Sequence, residues 1–162
     1  MSVEEDESGT ATLFIKIANR TTNTAEGGDT AQISFKSKSQ NSDSGGKTKT
    51  QTASLTVNNV YGTTLTPSEG EKTVDPNENV KFMVSVKNSG GNTEDSVTIS
   101  FTANGVDSWD ITPQPSTLTL DINEVGFFNL SVTPDIEAVA GLKSISIIST
   151  SEDGQTVSST SV

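Results

Sequence analysis

The side chains able to do chemistry in this chain are carboxylates, amides, hydroxyls and amines, because Cys and His are absent. That excludes disulfides, thiolate nucleophiles, Cys/His zinc sites and the imidazole base that most often serves general acid–base catalysis. Two carboxylate pairs stand close in sequence, Glu94 with Asp95 and Asp107 with Asp110. Paired carboxylates hydrolyse glycosides when a pocket fixes their separation. Nothing in the flanking sequence builds such a pocket, so both pairs read as solvated loop charges, and no catalytic activity is expected. The stretch DPNEN offers Asp75, Asn77, Glu78 and Asn79, and the stretch TEDS its acids, as hard oxygen ligands of the kind calcium takes. Neither matches the EF-hand spacing, so a solvated loop is the first reading and a calcium site the second. No cofactor is expected.

Other single positions carry a bland and a sharp reading. Trp109, the only Trp, either plugs one end of an apolar core, the commoner role, or offers a platform on which a sugar stacks. Tyr61 reads as packing at a junction. Asn19 (in Asn19-Arg20-Thr21) and Asn129 (in Asn129-Leu130-Ser131) are glycosylation candidates. Asn19 closes a strand at a loop, and Asn129 alternates with Phe128 and Leu130 and should face outward. Lys16, Lys81 and Lys143 point outward in the same alternation, so no core isopeptide bond is expected.

Charge divides the chain. Residues 1–57 hold seven acids and six bases, and residues 58–162 fourteen acids and four bases, so nearly all of the net charge of −11 lies in the second part. A polyanion is not expected to bind nucleic acid or anionic lipid through bulk electrostatics. The bases of the first part cluster: Lys36 and Lys38 on one strand, Lys47 and Lys49 opening the next, form a candidate interaction patch. No apolar run is long enough for a membrane helix, and the acidic opening MSVEEDESG is no signal peptide.

These side chains must be positioned by strands. Residues 79–102 (NVKFMVSVKNSGGNTEDSVTISFT) alternate apolar and polar on both sides of a polar break. Period-two alternation gives each strand one apolar face. The chain reads throughout in this way. Strands are predicted at residues 12–19, 30–39 and 47–57 in the first part. In the second they fall at 61–66, 72–74, 79–88, 96–103, 109–112, 117–122, 127–133, 142–150 and 155–162. Pro113 and Pro115 keep their segment at a sheet edge. Phe82, Val84, Val97, Ile99, Phe101, Leu120, Phe128, Leu130, Ile145 and Ile147 are predicted to share one core. The low apolar content, 30%, suits antiparallel sheets with one face in water.

The two parts echo each other. Ile15 and Ile17 fall where Leu130 and Val132 do, Ile33 and Phe35 match Ile145 and Ile147, and Val57 matches Val162. Residues 1–57 therefore read as the C-terminal half, three strands, of a domain whose complete copy is residues 58–162. A lone sheet needs a second layer. That layer would come from the second domain, from sequence upstream, or from another molecule.

Several segments resemble the immunoglobulin-like modules of microbial surface proteins, of the CARDB and NEW3 kinds. They are NVKFMVSVKNSGGNTEDSVTISF, SWDITPQPSTLTLDINE and FFNLSVTPDIEAVAGLKSISI. The shared parts are a strand ending in Asn-x-Gly, an Asp-x-Val strand, a Trp, Pro-x-x-Leu-x-Leu and a late Pro…Ala…Gly loop. Here Gly91 lengthens the turn after Asn88-Ser89-Gly90. The resemblance implies an all-β, immunoglobulin-like antiparallel sandwich, one complete and one partial. It also implies a non-catalytic, structural, extracellular role at a cell surface, in a surface layer or in a filament. The expected partners are other copies or neighbouring domains of the same protein. The alternative is a carbohydrate- or protein-binding accessory module of a secreted enzyme.

Overall fold

A computed structural model describes residues 10–16, 25–38 and 48–162. Ten strands and no helix occur among the described residues. They are β1 (Thr30–Lys38), β2 (Thr48–Thr56), β3 (Thr63–Pro67), β4 (Val80–Asn88), β5 (Asp95–Ala103), β6 (Asp110–Gln114), β7 (Thr117–Leu120), β8 (Val125–Thr133), β9 (Ile145–Thr150) and β10 (Val157–Ser161). All pairings are antiparallel. The all-β expectation holds.

Two four-stranded sheets, β3-β4-β8-β6 and β10-β9-β5-β7, face each other. The alternation builds this directly. In β4, Phe82, Val84 and Val86 are buried while Lys81, Met83 and Lys87 are exposed. In β8, Phe128, Leu130 and Val132 are buried on the same side. From the other sheet Val97 and Ile99 of β5, Leu120 of β7, and Ile145 and Ile147 of β9 complete one core. Every residue predicted for the core is buried except Phe101, which is half-buried. A buried hydroxyl pair, Thr63 Oγ1 and Ser149 Oγ at 2.7 Å, ties the two sheets together near β3.

The strands on either side of the Asn88–Asp95 turn belong to opposite sheets. The turn carries the chain across the core instead of closing a hairpin. Every connection from β4 to β9 crosses between the two sheets. As expected from Pro113, β6 lies at a sheet edge, where a residue without an amide N–H leaves no gap in an inner ladder.

Three strand expectations are corrected. The described part of the predicted 12–19 strand, residues 12–16, has no ladder, and every residue from 10 to 16 is exposed; Ile17 to Asn19 lie outside the described residues. Residues 72–74 are not a strand either. They line the end of the sandwich beside Val80, Phe82 and Trp109 and pair with no strand among the described residues. The last long strand begins at Ile145, and Leu142 lies in the loop before it. Apolar alternation makes a strand only when a partner edge is within reach.

β1 and β2 form a two-stranded sheet of their own, joined to neither layer of the sandwich. Their register pairs Ile33 with Ala53, Phe35 with Gln51 and Ala31 with Leu55. One face therefore carries Ala31, Ile33, Phe35, Ala53 and Leu55. Ile33 and Leu55 are only half-buried, and Phe35 remains 43% exposed.

Candidate functional site

The sandwich has two distinct ends, separated by the nine residues of β4, about 30 Å of strand. At the end where β4 leaves, Asn88 has no solvent-exposed surface. Its Oδ1 accepts the Gly90 N–H at 2.9 Å, and its Nδ2 donates to the carbonyls of Thr93 and Leu120, each at 3.0 Å. One amide thus closes the turn and fastens it to β7. Gly90 is required by close approach: a Cβ there would collide with the Val60 carbonyl oxygen. This is the physical content of the Asn-x-Gly signature.

Asp95, read from sequence as a solvated charge, is instead fully buried. Its Oδ1 accepts the Glu152 N–H at 2.9 Å, while Oδ2, and the Oγ of Ser151 next to Glu152, have no hydrogen-bond partner among the described residues. Period-two parity was the available signal. Asp95 continues the inward face of Val97 and Ile99, as Asn88 continues that of Val84 and Val86. A polar residue on an apolar face belongs to a hydrogen-bonded corner more often than to solvent. The other paired acids, Glu94, Asp107 and Asp110, are exposed.

The same end holds the chain that leads to the hairpin. Asn92 Nδ2 donates to the Asn58 carbonyl and its Oδ1 accepts the Val60 N–H, both at 2.9 Å. The Gly27 N–H donates to the Asn92 carbonyl at 2.8 Å. Tyr61, expected at a junction, is half-buried there and accepts a hydrogen bond from Asn59 Nδ2 at 2.9 Å.

At the far end an apolar groove of about 720 Å³ opens between residues 70–76 and 138–144. Val80, Phe82, Trp109, Val132 and Ile145 contribute its apolar floor. Trp109 is half-buried and packs on the core, so it both plugs the end and lines the groove. Val139 and Leu142 on the rim are 81% and 84% exposed. Lys72 bridges to Glu69 at 2.7 Å and lies 5.8 Å from the centre of the Phe82 ring.

Asp75, Asn77 and Glu78 are all exposed. They make a turn closed by the Glu78 N–H to the Asp75 carbonyl at 3.1 Å, with Asn77 at φ 63°. That is the left-handed third position of a type II turn, with Pro76 before it, a place Asn tolerates. Asn79, the last of the DPNEN candidates, instead anchors this loop by donating to Ser131 Oγ at 2.7 Å and Thr133 Oγ1 at 2.9 Å. Among the described residues no group of three or more acids is placed to hold a metal ion. The Thr156 N–H, joined by the Gln155 N–H and the Thr156 hydroxyl, holds the Asp153 carboxyl below its usual 3.8.

The predicted basic patch divides. Lys36 stands opposite Thr50 and Lys38 opposite Thr48, whereas Lys49 stands opposite Ser37. Partners across an antiparallel ladder share a face, so Lys49 shares the face of Phe35 and is separated from Lys36 and Lys38. All three are exposed. Lys47 and Asn19 lie outside the described residues, and Asn129 is exposed on β8.

No protein-family model matches the chain, and no curated protein matches it.

Proposed function

We propose that this chain is a non-catalytic structural module of a microbial cell-surface, surface-layer or filament protein, immunoglobulin-like in type, that assembles outside the cell through β-sheet contacts between copies or neighbouring domains. The observation that carries the reading is the β1–β2 sheet. Among the described residues it has two free edges, a half-covered apolar face at Ile33, Phe35 and Leu55, and no second layer. Isolated two-stranded hairpins are marginal in water, so a sheet of this kind gains most by docking. Charge favours a neighbour of the same chain. The strands β1 and β2 carry Lys36, Lys38 and Lys49 and no acid, while residues 58–162 hold fourteen acids against four bases. The resemblance to CARDB and NEW3 modules supports the same role.

Sedimentation at rising concentration tests it. Self-association is expected at low salt, weakened at high salt because exposed charge pairs are screened, and weakened again in a Lys36→Glu, Lys38→Glu, Lys49→Glu variant. A chain that stays monomeric at low salt and high concentration would mean that these lysines only guard an open edge. A carbohydrate-binding accessory module is the second reading, favoured by the half-buried Trp109 in an open groove. It predicts saturable quenching of Trp109 emission by an oligosaccharide.

A further inference from the structure

Two stretches alternate like strands and find no ladder: residues 10–16 (TATLFIK) and residues 72–74 (KTV). Residues 70–76 form one wall of the Trp109 groove. We infer that residues 10–16 of one copy dock in the Trp109 groove of a second copy, adding a strand alongside residues 72–74. This deepens the assembly reading at a surface remote from the hairpin.

The chemistry of the two surfaces matches. In residues 10–16 the side chains of Leu13 and Ile15 share one face at period two, and Thr10, Thr12 and Ile15 favour extended backbone. Leu13 and Ile15 are half or more exposed and Phe14 is 91% exposed, so none of the three is buried within its own chain. The groove floor is apolar, and its rim exposes Val139 and Leu142. Added strands gain main-chain hydrogen bonds from the edge and specificity from pockets that take alternate side chains.

Charge selects the same occupant. The only charge on residues 10–16 is Lys16. The charged residues lining the groove are Glu71 and Asp75, opposed by Lys72 and Lys143. Lys72 is already engaged by Glu69, which leaves the rim net acidic toward a basic segment.

Residues 10–16 and the groove at the Val80 end of β4 are different surfaces of the chain, so a contact between them is heterologous. Such a heterologous contact propagates into a fibre unless its rotation closes a ring.

Two features of the composition make the test clean: the chain has no Cys and one Trp. Full-length Leu13→Cys and Val139→Cys variants, prepared separately and mixed under oxidising conditions, are expected to form a disulfide heterodimer. A Phe35→Cys plus Val139→Cys mixture is the control. A synthetic peptide of residues 10–20 added to the full-length chain is expected to shift Trp109 emission saturably. A peptide carrying Leu13→Asp and Ile15→Asp should bind roughly tenfold more weakly or worse, since each apolar side chain loses its burial. Cross-linking no greater than the control, or equal effects of the two peptides, overturns the inference. The lysine-to-glutamate variant separates the two contacts. A cross-link that survives it supports the groove independently of the hairpin. Salt-sensitive association without any cross-link leaves the hairpin contact standing and removes this one.

Discussion

β1–β2 and β9–β10 are both antiparallel hairpins of alternating, hydroxyl-rich strands, yet they end in opposite environments. Ile145 and Ile147 of β9 are buried between two sheets. Ile33 and Phe35, their counterparts in β1, lie at the surface or halfway to it. The local code is the same in both. What differs is the second layer: β9 has β4 and β8 across the core, and β1 has nothing among the described residues. Alternation thus sets which face is eligible for burial, and the remainder of the fold decides whether burial happens.

The largest expected effect sharpens this contrast directly. Phe128→Ala should cost about 3–5 kcal/mol, the loss for a fully buried aromatic that leaves a cavity. Phe35→Ala should change monomer stability by less than about 0.5 kcal/mol, as at an ordinary surface site. Chemical denaturation of both variants at low protein concentration measures the pair. Comparable losses would mean that the hairpin shares the core and would break the comparison.

A smaller effect separates polar residues of the two environments within the sandwich. Asn88→Ala leaves the Thr93 and Leu120 carbonyls and the Gly90 N–H without their partner, and should cost about 1–3 kcal/mol. Asn129→Ala, on an exposed face, should fall within about 0.5 kcal/mol of wild type. Equal costs in denaturant titrations would show that the Asn88 corner is not what closes that end.

The smallest effect is expected from calcium. The turn at Asp75 is closed by its own backbone and anchored by Asn79. Calcium or a chelator should move the melting temperature by less than about 2 °C, since only a ligand bound preferentially to the folded state raises it. A rise of several degrees would mean that the sandwich, like the hairpin, depends on a partner.

The core was legible in the sequence because period two needs no tertiary information: Phe82, Val84, Phe128 and Leu130 follow from alternation alone. Edge placement of β6 was legible from Pro113 for a covalent reason. Sheet membership was not legible. Whether the chain turns back or crosses the core after Asn88 depends on long-range pairing of β4 with β8 and of β5 with β9, which leaves no local mark. The divided lysine patch has a similar cause, since faces across a hairpin depend on register, and register is fixed by the turn. Residues 12–16 and 72–74 failed as strands because propensity cannot supply a partner. Asp95 was misjudged because its charge outweighed its parity.

The three bonds of Asn88 also bear on how the molecule ages. An asparagine deamidates when the amide nitrogen of the following residue attacks its side-chain carbonyl. At Asn88 that nitrogen, on Ser89, is donated to the Gly62 carbonyl at 2.8 Å, and the side-chain oxygen is already held by Gly90. Both groups are held by hydrogen bonds. At Asn104 the next residue is Gly105, in an exposed turn at φ 67°, with no side chain to hinder attack. Chemical wear should therefore begin at Asn104 and spare the corner that holds the sandwich shut, an order that peptide mass mapping of aged protein would read. A module with its durable amide in the corner and its expendable one in a loop is suited to a long life without replacement.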